Sequence, residues 1–317
     1  MSAQLILCSH SPLILKDMAE SKPGAQARFI ETMEAVRDEL VGFGPDLVLS
    51  FGPDHFNGFF YDLMPSFCVG IKAEATRDWG ICGGALQVPA DLALECCRHL
   101  HQNDFDVALS YEMKVDHGTS ISLLQLMQTL DRYPVVPIFV NCAADPRPTM
   151  RRVRTLGAEV GRFLANRSLR VAIIGSGGLS HDPPTPRLAT PSEEVWRRLV
   201  RRAVPTSEEL QSREARVVKA AKDMVAGGGP CMPPNPEWDA DFMRKIATWD
   251  VQALDAISDR ELDERAGFGG HEVRTWVAAS AAAREMAGSR EWKTQYRYYE
   301  VIPEWLTGMG VVTGSAQ

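Results

Sequence analysis

The sequence predicts an α/β fold, with a mostly parallel or mixed central sheet, helices on both faces, and helical additions in the C-terminal half. Three observations predict it. Short β-branched runs alternate with longer amphipathic stretches from residue 1 to 181, as strands joined by crossover helices do. The run Val171-Ala172-Ile173-Ile174 is apolar at successive positions, which a strand covered on both faces requires. From residue 190 onward, strand signals give way to helix-start signals.

The elements follow in order. Leu5-Ile6-Leu7-Cys8 is the first strand and runs into Ser9-His10-Ser11-Pro12. Residues 25–41 read as a helix, with Phe29, Met33, Val36 and Leu40 at helical spacing and Gly42, Gly44 and Pro45 as its stop. Residues 47–51 are the next strand and lead to Gly52-Pro53-Asp54-His55. A β-α-β unit makes the two strands parallel, so His10 and His55 fall on one sheet edge. Residues 66–89 are rich in glycine and show no clear period. Residues 92–100 read as a helix, and a third strand ends near Ser110. Val115-Asp116-His117-Gly118 then opens a helix over 119–130. A strand over 135–140 and a helix over 150–164 precede the strand that ends in Gly175-Ser176-Gly177-Gly178-Leu179-Ser180-His181. Those glycines permit positive φ and close approach of the backbone to a ligand.

Beyond this point Thr190-Pro191-Ser192-Glu193 and residues 206–209 read as capping boxes, and Asn235-Pro236 starts a helix carrying Trp238, Phe242 and Ile246. Residues 227–235, rich in glycine and proline, are read as a mobile lid or entrance. Gly267-Phe268-Gly269-Gly270-His271-Glu272 leads into an alanine-rich helix, with Glu272 in its first turn, where the helix dipole favours a carboxylate. A late strand over 292–299 and a closing segment over 302–312 follow. Residues 1–317 are read as a single domain, with an α/β core at about 1–185 and 270–312 and a helical insertion at about 190–266.

Composition narrows the function. A net charge of -7 argues against a nucleic-acid or anionic membrane surface, both of which reward clustered cations. The arginine clusters at 151–154 and 197–202 fall on amphipathic helices and read as solvated faces. No apolar run reaches the ~18 residues of a membrane span. Seven cysteines without a Cys-x-x-Cys pair fit reduced thiols in the cytoplasm.

Four of the seven histidines, His10, His55, His117 and His181, follow a predicted strand. Any one of them would pass as a loop cap. Four in the same context argue for convergence, because strand ends of one sheet meet in space. His99 and His101 fall on a helix and read as structural. Two histidines and one carboxylate on one face of Fe(II) leave positions open for an organic substrate and O2, whereas closed zinc sites favour cysteine. The candidate ligands are His10, His55 and Glu272, which leaves His117 and His181 as acid–base groups. Asp54 and Asp116 each precede a histidine and either orient imidazoles or sit in turns. Phe59, Phe60 and Tyr61 either wall a pocket for a flat ring or belong to the core.

The segments around His10, His55, His117 and His181, together with His271-Glu272-Val273-Arg274-Thr275-Trp276, resemble the type III extradiol catechol dioxygenases of the protocatechuate 4,5-dioxygenase superfamily. The resemblance extends to Ile302-Pro303-Glu304-Trp305. It implies an Fe(II) cofactor on His10, His55 and Glu272, with His117 and His181 as the catalytic pair. His181 would be the base that meets the catechol and His117 the proton donor. It implies ring opening of a catechol with a propionate tail, both atoms of O2 being inserted, by a cytoplasmic homo-oligomer of tetrameric or larger size. The tail needs a cation or amide cluster, and several arginines qualify. Tyr298-Tyr299-Glu300-Val301 departs from the Tyr-Tyr-Arg-Pro of the resemblance, which leaves open whether that segment meets substrate. Two rivals remain: a non-redox metal hydrolase on the same fold, and a phosphate- or nucleotide-binding module using the glycine loop. The loop lacks the Lys-Ser/Thr of a P-loop, and no Gly-x-Ser-x-Gly elbow supports a serine hydrolase.

Overall fold

Strand β1 (Ser2–Cys8) divides its side chains between two apolar cores, Leu5 and Leu7 entering one and Ile6 and Cys8 the other. That alternation puts a layer of helices on each face of the sheet. The structure is a computed structural model that describes residues 2–188 and 191–316. After β1 the chain runs through α1 (Ala25–Phe43), β2 (Leu47–Gly52), β3 (Phe67–Gly70), β4 (Ala73–Ala75), β5 (Gly84–Ala85), α2 (Ala90–Gln102), β6 (Ala108–Ser110) and β7 (Met113–Val115). Next come α3 (His117–Met127), β8 (Val135–Val140), α4 (Met150–Ala165) and β9 (Arg170–Ser176). Helices then dominate: α5 (Glu193–Leu199), α6 (Ser207–Val225), α7 (Pro236–Thr248), α8 (Val251–Asp255), α9 (Asp259–Arg265) and α10 (Val273–Ala287). Strands β10 (Trp292–Ile302) and β11 (Thr307–Ala316) close the chain.

Eight strands form one mixed sheet in the order β10-β11-β1-β9-β2-β8-β3-β6. Its centre is parallel, from β1 through β9 and β2 to β8. Strand β11 returns antiparallel beside β1, β10 lies antiparallel to β11, and β3 lies antiparallel to β8. The carboxyl ends of β1, β9 and β2 therefore share an edge. Helices α1 and α3 pack over one face, with Phe29, Met33, Val36 and Leu40 buried as their spacing predicts. Helices α2, α4 and α10 pack over the other. Glycine in the left-handed region closes α1 at Gly44 (φ 58°), and the capping box at Thr206 and Glu209 is present on α6.

Several expectations are corrected. Residues 66–89 hold β3, β4 and β5, and β4 and β5 build a second, three-stranded sheet with β7. Helix α5 starts at Glu193, where the Ser192 hydroxyl accepts from Val195 N–H, so the cap sits at Ser192; Thr190 of the expected box lies outside the described residues. The closing segment is a full strand, β11. Gly175, Gly177 and Gly178 do not adopt positive φ. They are small for packing: a Cβ on Gly177 would meet the Glu272 carbonyl oxygen at 2.5 Å, and one on Gly178 would meet His181 Cε1 at 2.4 Å. Among the described residues no helix is long and apolar enough to cross a membrane.

Candidate active site

His10 stands just past β1, His55 past β2 and His181 past β9, all at the shared edge of the parallel centre. His117 opens α3 directly behind β7, so it arrives from the small sheet rather than from the main one. All four line one cleft of about 120 Å³. The rings of His55 and His117 stack at 4.2 Å between centroids, and His10 meets both edge-on at 5.7 and 5.9 Å.

The tautomers follow from the partners behind each ring. Ser176 Oγ donates to the Gly118 carbonyl oxygen, so it accepts from His10 Nδ1 at 3.2 Å. His10 therefore carries its hydrogen on Nδ1 and presents the Nε2 lone pair. Burial pushes its pKa down to about 3, which keeps it neutral. His55 Nδ1 donates to Asp116 Oδ2 at 3.1 Å, and its backbone N–H donates to the same oxygen at 2.7 Å. A carboxylate behind the ring fixes the tautomer and the aim of Nε2. Asp116 also caps α3 by accepting from Gly118 N–H at 2.9 Å. One aspartate thus orients His55 and starts the helix that carries His117.

Glu272 lies at the junction between a 3-10 turn and α10, buried beneath these rings. Its carboxylate is 3.5 Å from His10 Nε2, 2.9 Å from His55 Nε2 and 3.6 Å from His181 Nε2, and it accepts from Gly178 N–H at 2.8 Å. Among the described residues, no lysine or arginine touches it. The rest of its motif holds it there. Thr275 Oγ1 donates to the Ser176 carbonyl oxygen at 2.8 Å, and Trp276 Nε1 donates to that of Gly177 at 3.0 Å. Buried Arg274 donates to Pro148 and pairs with Asp259.

Burial opposes charge on both His55 and Glu272, yet each is driven toward its ionised form. His55 is raised well above the usual range, because Asp116 and Glu272 outweigh burial. Glu272 is held well below the carboxylate range, because the imidazoles outweigh it. A proton on His55 Nε2 thus bridges to Glu272 Oε1 at 2.9 Å, the place a divalent cation would take between the imidazoles and the carboxylate. Two nitrogens and a carboxylate oxygen beside an open cleft are a donor set that suits a divalent transition metal. The residues therefore fit a metal ion. Among the described residues, the sets whose donor atoms all lie within 4.8 Å of one another are His10, His55 and His117, and Asp78, Asp116 and His117; Glu272 is in neither. Asp78 and Asp116 are already engaged, the first by Thr76 Oγ1 and His117, the second by His55 and backbone N–H groups.

His117 Nδ1 donates to Asp78 Oδ2, and His181 Nδ1 donates to the Leu179 carbonyl oxygen at 2.9 Å, so both rings keep Nε2 for the cleft. Sequence reasoning missed Asp78. It lies in the glycine-rich 66–89 stretch, and only the fold brings it to His117. Trp79 beside it, at φ 57°, also lines the cleft. Asp54 does not orient an imidazole. It accepts from the N–H groups of Asn57, Gly58 and Phe59, the turn alternative, and burial followed by Asp116 pushes it up to about 8. Phe59 stacks on Phe139 at 3.9 Å and Tyr61 on Phe56 at 5.3 Å, and neither lines the cleft; Phe56 does. Residues 227–235 and 298–301 do not line it either, and Glu300 pairs with Arg28 instead. His99 pairs with Glu159 at 2.7 Å and His101 with the Val107 carbonyl oxygen at 2.8 Å, structural roles as read.

This fold and site define a class, the ring-opening dioxygenases. The sequence matches the family described as the catalytic LigB subunit of aromatic ring-opening dioxygenase over residues 4–310, and the chain belongs to that family. It is thus an extradiol dioxygenase, and the hydrolase and phosphate-module rivals are not favoured. Relatives in Cupriavidus pinatubonensis and Mycolicibacterium vanbaalenii are each 44% identical, over 98% of this chain and 98% of their own. One in Photorhabdus laumondii is 41% identical over 99% of this chain and 97% of its own. All three are named 2,3-dihydroxyphenylpropionate/2,3-dihydroxicinnamic acid 1,2-dioxygenase.

Proposed function

We propose that the protein is an Fe(II)-dependent dioxygenase that opens 3-(2,3-dihydroxyphenyl)propionate and 2,3-dihydroxycinnamate. The product is a keto acid of the 2-hydroxymuconate-semialdehyde type. The observation that carries this reading is the convergence of His10, His55 and Glu272 beneath a cleft that His117 and His181 also face. The relatives' names supply the substrate class. His10, His55 and Glu272 would hold the iron, whose contribution would be to acidify the catechol and to activate O2.

The chain's own groups manage the protons. His181 keeps its hydrogen on Nδ1, so Nε2 is the base that takes a hydroxyl proton from the catechol. His117 is fixed by Asp78 at Nδ1 and delivers a proton from Nε2 as the ring opens. Each is worth ~10²–10⁴-fold in rate. Phe56, Trp79, Pro183, Pro184 and Leu306 keep the cleft apolar around these transfers. The whole chain acts as one catalytic unit, with α5 and α6 supplying a cleft wall. We place it in the cytoplasm, since its seven cysteines are free, and as a homo-oligomer of tetrameric or larger size. The test is anaerobic addition of the catechol to Fe(II)-loaded protein followed by air. Oxygen uptake with a yellow product is the expected result. Turnover that needs no oxygen, or that runs equally with Zn(II), would overturn the reading.

A further inference from the structure

The cleft carries three arginines that no ion pair engages among the described residues. Arg198 comes from α5, and Arg213 and Arg216 from α6; all three line the cleft that holds His117 and His181. Among the described residues none of the three has a hydrogen bond or an ion pair. Their neighbours do: Arg197 meets Glu209 at 2.6 Å, Arg201 meets Glu193 at 2.9 Å and Arg202 meets Asp62 at 2.8 Å. Of the acids that act on these arginines, Glu194 raises the pKa of Arg198 without pairing with it, and three others are engaged elsewhere. Glu214 pairs with Lys16 at 2.8 Å, Asp78 is held by Thr76 and His117, and Asp54 accepts from three backbone N–H groups.

The cluster corrects the reading of the 197–202 run as a solvated face, because Arg198 and Arg213 are half-buried. Burial, then Arg213 and Arg216, pushes Arg198 down to about 9. Arg213 is lowered too, by burial first, and Arg216 adds to it while Asp78 opposes. Guanidinium groups that share a partly dry groove without a counter-charge repel one another, and a bound anion removes that cost. The chain's net charge is -7, so this positive wall is local to the cleft.

We propose that Arg198, Arg213 and Arg216 bind the carboxylate tail of the catechol and set which catechols the enzyme opens. The proposal rests on the ring-opening function above. A carboxylate matches the planar fork of a guanidinium. The cleft presents imidazoles on one side, with Glu272 buried beneath them, and guanidiniums from α5 and α6 on the other. A substrate seated in it has its diol at the first and its anion at the second. The helical stretch thus selects substrate, while the α/β core opens the ring.

The test compares kcat/KM by oxygen uptake for 3-(2,3-dihydroxyphenyl)propionate and for uncharged 3-propylcatechol, in Fe(II)-loaded wild type, Arg198→Gln, Arg213→Gln and Arg216→Gln. The preference for the carboxylate substrate falls by ~10–100-fold on losing a charged hydrogen bond. Arg216 is exposed, so its variant keeps the test available should a half-buried change disturb folding. Calorimetric binding of 3-phenylpropionate, which lacks the diol, is the second readout and weakens in the same variants. Preference and binding both within ~2-fold of wild type in all three variants overturn the clamp. A wild type that opens neither catechol overturns the ring-opening reading. Weakened 3-phenylpropionate binding would still support the clamp in that event, and unchanged binding would remove it as well.

Discussion

The four cleft imidazoles differ in what stands behind each ring. His10 and His55 have Nδ1 occupied and Nε2 aimed at Glu272. His181 also faces Glu272, but at 3.6 Å and from a backbone-held ring on the cleft wall. His181→Ala should therefore leave iron bound while kcat falls ~10²–10⁴-fold. Iron content and turnover measured on one preparation check this, and loss of iron would make His181 a ligand. The two aspartates behind the rings separate in the same way. Asp116→Asn loosens His55, so iron affinity should drop ~10–100-fold, as for other partners behind a metal-bound imidazole. Asp78→Asn touches His117 alone among the four cleft histidines. It should lower kcat and leave iron affinity near wild type. Equal loss of affinity in both variants would show that His117 ligates the metal, the alternative allowed by its place within 4.8 Å of His10 and His55. Asp116 was legible because it adjoins His117 in sequence. Asp78 was not, because no local pattern announces a contact made across 39 residues.

At the scale of elements, Glu272 is placed by how closely α10 lies on α4. Gly157 and Gly161 of α4 face Ala278 and Ala282 of α10, and a Cβ on Gly157 would meet the Ala278 carbonyl oxygen at 2.1 Å. An alanine inside a helix is ordinarily worth up to about 1 kcal/mol over glycine. Here the obstacle is backbone and has no rotamer to change, so the helices must part. Overpacking of this kind costs about 1–3 kcal/mol. Gly157→Ala should therefore destabilise the protein despite its better helix propensity, and a lower urea midpoint is the measurement. A raised midpoint would mean the contact yields. The alanine-rich pattern of 273–287 revealed a buried helix but not its partner. Other elements were legible in proportion to their length. Helices α1, α4 and α7 and strand β8 carried enough residues to show a period. Strands β4, β5 and β7, of three, two and three residues, did not. The antiparallel pairings of β3 and β11 were illegible for another reason: strand direction depends on the whole connection and leaves no mark on the strand itself.

Across the whole molecule, the side chains proposed to hold the metal come from both ends of the chain, in a sheet that sets β11 against β1 and β9 beside both β1 and β2. The strands themselves are held by apolar cores on both faces and ask nothing of the metal. The loops that carry His10, His55, His181 and Glu272 do, since they bring imidazoles against a buried carboxylate that no lysine or arginine touches among the described residues. Iron binding adds RT ln(1 + [Fe]/Kd) to stability, about 2.7 kcal/mol at a hundredfold excess over Kd. That gain should be drawn from the loops rather than from the sheet. Hydrogen exchange on iron-free and Fe(II)-loaded protein separates the two possibilities. Amides at 9–12, 53–58, 177–181 and 267–272 should gain protection on loading, while those of β1, β2, β8 and β9 already exchange slowly without metal. Melting temperature should rise with Fe(II) concentration over the same range. If removing iron instead opens the central strands, the apolar cores do not suffice alone, and the metal belongs to the folding of the chain as well as to its chemistry.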